Sequence, residues 1–537
     1  MANTKKQSFL HGAVILTAGL AVIKVLGAIY KIPIANILGN EGYGMFLAAY
    51  NVYNVFYTVS TAGVPVAMAR LIAAADANNR PMQIRRFYRV GISTFFTIGL
   101  ICSMIMFLFP TELAASIDHV SAAQSIWAMS PAVLLCCLIA IIRGYTQGHS
   151  NMIPTAVSQI LEVLFKLVFG LGLVLVFTLM GKSTPLCCAA AISGVTMGSL
   201  IALLYLLWYK YKHYSNETLS ADEMDIPDSY GTTLKNLLLV VVPISIASSV
   251  QSVINLIDTK QIMSLLQNAA GFSYKDASAM FGVYGEAQTL YNLPGTIISA
   301  ISVSIVPTIA ANFAVNNLKG AKETSEIGLR ITAVLALPMA FGLCVLSYPI
   351  MNVLYWGEAE GGAGILSILG IASFFLCMVV VMTGILQAGG KERLPLLSAV
   401  IGGIVKIGVN TILLANPNIN IYGAAASTLC CYIVMAGLDF MFLKSCLGEY
   451  PSVVKIISRP LISTLAMAVS AYTVYNLCVK VISDDPGRLL MAIYLAAAIG
   501  VAVIVYLVMV IAVRAITLED MKMIPKGEKI AKLLRMK

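Results

Sequence analysis

The sequence predicts an all-α integral membrane protein of fourteen transmembrane helices, two related halves of six with an appended pair. Three observations predict it. Hydrophobic residues make up 59% of the 537 and charged residues only 11%, against roughly 25% charged in a soluble domain. With a mean hydropathy of +0.86 the chain has too little polar surface to face water. Fourteen apolar runs are long enough for a hydrocarbon core, which takes about 20 helical residues to cross. Finally, motifs in the first half return in the second at a near-constant offset.

The runs can be justified in order. The first, 9–38, follows the basic start MANTKK; it is too long for a removable signal and shows no convincing cleavage site, so it is the first span. The second, 44–73, carries YGMFLAAYN (43–51) and ends before the basic loop NNRPMQIRRFYR (78–89). Runs 87–110, 123–146, 154–179 and 184–209 complete the first six, and KYKH (210–213) closes them. The segment HYSNETLSADEMDIPDSYGTT (213–233) is too acidic and too punctuated by proline to span, so it is a linker. Runs 236–260 and 280–312 follow, the latter carrying YGEAQTLYNLP (284–294). KGAKE (319–323) precedes 328–352, and KER (391–393) separates 363–388 from 395–416. Run 421–443 ends the second six; 458–482 and 488–514 form the appended pair, before the basic tail KMIPKGEKIAKLLRMK (522–537). The expected organisation is an N-lobe (1–210), a cytoplasmic linker (211–235), a C-lobe (236–443), and the added pair with its tail (444–537).

Basic residues set the orientation. With the N-terminus inside, the basic loops above fall on the cytoplasmic side. Of 35 Lys and Arg, only Lys182, Lys260, Lys275, Lys480 and Arg488 then fall outside, and four lie within spans. Both termini are therefore expected in the cytoplasm, in a multi-pass protein of the cell membrane. The net charge of +10 is mostly this topogenic signal and calls for no nucleic-acid partner. The 11 cysteines show no zinc-ligand spacing, and no metal site is expected.

The internal match has two parts. Tyr-Gly, five residues, Tyr-Asn occurs at 43–51 and again at 284–292. RGYTQGHSNMIPTAVSQILEVLFKL (143–167) aligns with TGILQAGGKERLPLLSAVIGGIVKI (383–407), pairing Gly144 with Gly384, Gln147 with Gln387, Ser158 with Ser398 and Lys166 with Lys406. Six spans per half is an even number, so both halves enter the membrane from the same side, as a parallel repeat.

Ionisable groups within spans are costly and mark function or pairing. Lys24 and Lys31 share a face of the first helix, roughly 10 Å apart along it; Lys31 lies nearer the outer end, within snorkelling reach. Glu162 and Lys166 have the spacing of an intrahelical ion pair. Lys406, the repeat mate of Lys166, has Gly402 one turn before it and no such acid, which makes it the better placed to meet an anion. Gln251, Asn255 and Asp258 form one polar stripe; Tyr284, Gln288 and Asn292 form another, with Glu286 nearby. Tyr50, Tyr53 and Tyr57 form a third, with Asn51 beside it. Each stripe fits either a wet cavity or hydrogen-bonded helix packing. No P-loop, GxSxG or HExxH is present, so no enzyme activity is expected and ATP does not drive the protein directly.

KVLGAIYKIPIANILGNEGYG (24–44), IRGYTQGHSNMIPTAVSQILE (142–162), YGEAQTLYNLP and GILQAGGKERLP (384–395) resemble the polysaccharide transporter branch of the multidrug/oligosaccharidyl-lipid/polysaccharide (MOP) flippase superfamily. The resemblance is strongest to the stage V sporulation protein B-like group, relatives of the lipid II flippases, and covers essentially the whole chain. It implies two six-helix lobes in a V, alternating access about a central cavity, and a polyprenyl-tail groove at the appended pair. The family's first-helix basic residue matches Lys24; its next basic position falls on Tyr30, with Lys31 adjacent. Thr289 stands where enterobacterial-type lipid II flippases carry arginine.

A polyprenyl-pyrophosphate saccharide is doubly negative, and crossing hydrocarbon requires a hydrated path with compensating cations. Lys24, Lys31, Lys166 and Lys406 are the candidates, with Asn51, Asn255, Gln288 and Asn292 for the sugar. Asp258, Glu286 and Glu162 are candidates for coupling to Na+, H+ or the membrane potential; no other cofactor is expected. Cell-wall synthesis proteins are candidate partners. Two alternatives stay open: a cation-coupled multidrug exporter of the same fold, with Asp258 as ion site, and a non-transporting scaffold for cell-wall enzymes.

Overall fold

The computed structural model describes residues 9–214, 225–356, 359–482 and 487–515; side chains are described from Leu26 onward, apart from 28–29, 300–301, 303–304 and 359–360. The described residues form helices and their connections, with no strand among them. In order these are α1 (Phe9–Thr61), α2 (Val64–Ala77), α3 (Pro81–Leu108), α4 (Pro110–Ser116), a 3₁₀ turn (Val120–Ala122), α5 (Ala123–Gly148), α6 (Ile153–Leu179), α7 (Thr184–Tyr214), α8 (Tyr230–Asn268) and α9 (Tyr274–Ala314). There follow α10 (Leu318–Val345), α11 (Ser347–Leu354), α12 (Ala359–Ala388), α13 (Arg393–Leu413), α14 (Tyr422–Leu447), α15 (Val453–Ile482) and α16 (Arg488–Ala512).

Among the described residues, twelve helical stretches are long and apolar enough to cross a membrane. Large apolar side chains such as Leu179, Leu489, Ile412 and Val469 lie exposed on them, and an exposed apolar surface on this scale requires a lipid solvent. The protein is a multi-pass membrane protein. The first expected run and most of the second merge into α1, whose 53 residues would be about 80 Å long if straight; the rest of the second run lies in α2. They are divided at Gly39, where φ is 69°. That left-handed backbone interrupts the helix and costs a glycine no Cβ clash. The expected run 328–352 is likewise divided at Leu346, between α10 and α11.

The chain divides into two compact units, Met1–Ser264 with Ser273–Gly282, and Leu265–Phe272 with Val283–Lys537. Most of α8 thus packs with the first unit, although its sequence position falls beyond the linker.

In the first unit α5 packs against α1, α2, α3 and α7, and α6 lies along α7. Glycine sets that last contact. A Cβ on Gly198 would lie 2.3 Å from the backbone oxygen of Glu162, so α6 and α7 touch through their main chains. The linker is tied to the same unit. Asp225 accepts from the backbone N–H of Met82 and Gln83 at 2.6 and 3.2 Å and pairs with Arg80 at 3.3 Å. These unsatisfied donors at the start of α3 are a natural carboxylate site.

In the second unit α12 packs between α10 and α14, and α13 lies on α14. Ile298, Leu337, Ile385 and Leu443 belong to one buried cluster there. The appended pair, α15 and α16, packs on itself and reaches α10 and α11, through Met467, Leu495, Ala498 and Leu346.

Candidate functional site

The part of α1 beyond its kink carries rings alternately three and four residues apart, a spacing that keeps them on one helix face. Centroids are 5.8 Å apart for Tyr43–Phe46, 6.1 Å for Phe46–Tyr50, 5.9 Å for Tyr50–Tyr53 and 5.7 Å for Tyr53–Tyr57. Lys166 of α6 rests on this row. Its Nζ is 4.9 Å from the Tyr30 ring centroid and 4.8 Å from that of Tyr50, and it donates to Tyr50 Oη at 3.4 Å. The ring faces attract the ammonium without neutralising it. Among the described residues Lys166 makes no ion pair. Lys31, also half-buried, lies within Coulombic reach of it. Two cations therefore share this part of the first unit.

The expected Glu162–Lys166 pair is not made. Glu162 Oε2 accepts from Arg143 Nη2 of α5 at 2.8 Å, and Arg143 Nε donates to Ser158 Oγ at 2.9 Å. The planar guanidinium spans two side chains one turn apart on α6, which a point-like ammonium cannot match. Ser158 donates its own hydrogen bond to the carbonyl of Thr155, 2.9 Å away. Beside this network lies a cavity of about 180 Å³, lined in part by Tyr57, Gln147 and Gln159. The buried Oε1 of Gln159 makes no hydrogen bond among the described residues.

The second unit holds the repeat mates at an offset of 240: Thr383 for Arg143, Ser398 for Ser158, Gly402 for Glu162 and Asp439 for Ser199. Ser398 Oγ lies 2.6 Å from Asp439 Oδ1 and 2.9 Å from the carbonyl of Pro395. Thr383 Oγ1 is 3.4 Å from Asp439 Oδ2. Lys406 and Asn410, further along α13, are buried.

The polar stripes divide between the two roles left open. Tyr284 is tied to α14, its Oη 2.9 Å from Thr428 Oγ1, and Tyr291 Oη donates to Tyr432 Oη at 3.4 Å. Asn292 donates to its own helix at Gln288 O, 2.7 Å away. Asn51 donates to Thr259 Oγ1 at 2.9 Å, fixing α1 to α8. On α8, Gln251 and Asn255 are exposed and bonded to each other at 3.2 Å, whereas Asp258 is buried. Glu286 is buried on α9. The side chain of Lys24 lies outside the described residues.

Three residues escaped the sequence reading. Arg143 stood inside a quoted repeat motif, but its partner is on another helix. Asp439 interrupts an apolar run, and the hydroxyls that meet it come from α12 and α13. His119 sits between spans, fully buried; its Nδ1 is 2.7 Å from Tyr274 Oη and its Nε2 3.3 Å from Ser278 Oγ. Burial pushes its imidazole down to about 4, because a charged ring is poorly solvated there. Ser278 also donates to the carbonyl of Glu41 at 3.0 Å.

A family model described as polysaccharide biosynthesis protein matches residues 9–313, more than half of the chain. The chain belongs to the polysaccharide biosynthesis protein family. A second model of the same description matches residues 271–359. Relatives within reach of this family run the length of the chain. An uncharacterized membrane protein of Bacillus subtilis, YabM, is 28% identical over 99% of this chain and 98% of its own. The lipid II flippase MurJ of the same organism is 26% identical over 93% of this chain and 94% of its own, and its stage V sporulation protein B 24% identical over 97% and 98%. Among solved structures, a lipid II flippase MurJ in an inward closed conformation superposes with a TM-score of 0.70 at 16% identity, over 92% of this chain and 98% of that one. An inward-facing multidrug resistance MATE transporter of the MOP superfamily gives 0.65 at 15% identity, over 81% and 98%. The fold is thus that of the MOP superfamily.

Proposed function

We propose that this family member is a flippase that carries a polyprenyl-pyrophosphate-linked saccharide, a peptidoglycan or other cell-envelope precursor, from the cytoplasmic to the outer face by alternating access. The observation that carries this reading is Lys166, a half-buried cation bedded on Tyr30 and Tyr50 with no carboxylate among the described residues paired to it. A membrane protein that maintains such a charge beside Lys31 is suited to an anionic headgroup, and the tyrosines and Asn51 to a sugar. The sequence reading preferred Lys406 as the unpartnered cation. The Arg143–Glu162 pair moves that preference to Lys166. Lys24 and Lys406 stay in the proposed set, with Asn255, Gln288 and Asn292. The name of the MurJ relative, a lipid II flippase, supports the same substrate class.

The proposal includes fourteen spans, reached by dividing α1 at Gly39 and counting α9. Six fall in each of the lobes 1–210 and 236–443, joined by the 211–235 linker; α15 and α16 are the added pair within 444–537. Both termini are cytoplasmic; labelling Glu217→Cys and Asp484→Cys from opposite sides of the membrane tests this, and labelling of both from outside refutes it. Coupling runs through Na+, H+ or the membrane potential, and cell-wall synthesis proteins are the proposed partners.

Buried Asp258 and Glu286 favour the second reading, cation-coupled drug export. Reconstituted vesicles loaded with labelled lipid II separate the two. Lipid movement that Lys166→Ala abolishes supports the flippase. Transport of cationic dyes without lipid movement reverses the order.

A further inference from the structure

The two units carry the same serine in two different settings, and the difference bears on the place of one proton. A hydroxyl has one hydrogen to donate and lone pairs to accept with. In the first unit Ser158 donates to Thr155 O and accepts from Arg143 Nε, both at 2.9 Å. Its mate Ser398 has the same carbonyl three residues back, Pro395 O at 2.9 Å, and in place of the guanidinium it meets Asp439 Oδ1 at 2.6 Å. If Ser398 keeps the donation its mate makes, the proton in the 2.6 Å contact belongs to Asp439.

Charge balance points the same way. Glu162 has Arg143 to neutralise it; the corresponding position for Asp439 is Thr383, whose hydroxyl lies at a long 3.4 Å. Asp439 is fully buried. The titratable side chains described on the elements packed against it are Lys319, Lys322, Glu323, Glu326, Arg330 and Cys344 of α10, Cys377 of α12, Arg393 and Lys406 of α13, and Tyr422, Cys430, Cys431, Tyr432, Lys444 and Cys446 of α14. Among the described residues none forms an ion pair with it. An isolated buried carboxylate is costly enough that neutralisation is the usual outcome.

We propose that Asp439 is a proton-binding site. Its carboxyl holds a proton donated to Ser398 in the described conformation. When water reaches the α12–α13–α14 contact it releases that proton, leaving a carboxylate and a hydronium ion; the reverse step restores it. The serine stands in both halves, whereas the acid of the second, at the position of Ser199 in the first, has Thr383 where the first half has Arg143. Coupling of this proton to transport rests on the flippase reading above; its presence does not.

The test compares the full-length protein in lipid nanodiscs with the Asp439→Asn variant, whose amide keeps a donor toward Ser398. At neutral pH, without sodium, the infrared difference spectrum is expected to show a protonated-carboxyl C=O band that shifts in D2O and is lost in the variant. Loss of carboxylate bands instead overturns the proposal, as does a carboxyl band that sodium abolishes at constant pH, which would mark a metal-cation site. In proteoliposomes, an imposed pH gradient is expected to accelerate lipid movement in the wild type and not in Asp439→Asn. An unchanged gradient response in the variant overturns the coupling. If neither protein moves lipid, the flippase reading fails while the infrared band still decides the proton.

Discussion

Removing Arg143 should expose how strongly the first unit depends on one ion pair. The pair is 2.8 Å long, and its side chains are only 11% and 25% exposed. Breaking a fully buried pair from one side costs 3–5 kcal/mol, because the remaining charge is stranded. Partial exposure and the adjoining polar cavity reduce that, so Arg143→Met should cost roughly 2–3 kcal/mol. Arg143 also donates to Ser158, and losing a donor from a hydroxyl adds about 1 kcal/mol at most. Glu162→Gln alone should cost less, since Gln retains an acceptor for the guanidinium. The double variant should recover most of the loss, with a coupling energy of roughly 2 kcal/mol, well above the ~0.5 kcal/mol scatter of independent sites. The assay is denaturant unfolding of the four proteins in mixed micelles, followed by tryptophan fluorescence and circular dichroism. Additive losses would show that Arg143 and Glu162 do not stabilise one another. A stability gain on adding Lys166→Met to Arg143→Met would show that Lys166 opposes rather than shares the pairing.

Three further outcomes are expected. Gly198→Ala places a Cβ 2.3 Å from the Glu162 backbone oxygen and should destabilise by about 1–3 kcal/mol; Gly172→Ala, which meets nothing within 4 Å, should not, and equal losses would refute the close-packing account. His119 is held down to about 4 from an ordinary value near 6.5, so the fold favours its neutral form. That contribution is complete above about pH 6.5, is worth at most roughly 3 kcal/mol, and is lost as pH falls toward 4; an acid-labile melting curve that His119→Gln leaves unchanged would refute it. Lys166→Ala should abolish lipid movement in vesicles without lowering the folded yield, and Lys166→Arg should keep part of it. Normal movement in Lys166→Ala would remove that residue from the cargo path.

The membrane class, the helix positions and the duplication were legible in the sequence because each is carried by many residues at once. Apolar runs mark spans whatever their neighbours are, and a repeat offset survives when most of its residues have changed. Pairing was less legible. The i,i+4 rule offered Glu162 to Lys166, since local spacing is all that one chain displays. The structure brings in Arg143 from another helix, with a headgroup that fits Ser158 as well. Asp439 failed for the same reason in reverse: no neighbour in sequence explains it, and only the matching of Ser158 with Ser398 led to its site. The joining of two expected spans into one interrupted helix depends on the backbone conformation of Gly39, which apolar runs do not display.

The tyrosine-bearing stretch of α1 has a mechanical meaning. Its five rings touch in succession, so bending the segment would require opening four aromatic contacts together. At one end is the left-handed Gly39. At the other, Thr58, Ser60 and Thr61 return their hydroxyls to the preceding turn, a habit that loosens helices, and the chain breaks before Gly63. The segment is a rod between two joints. Lys166 is seated against the middle of that rod, on Tyr50.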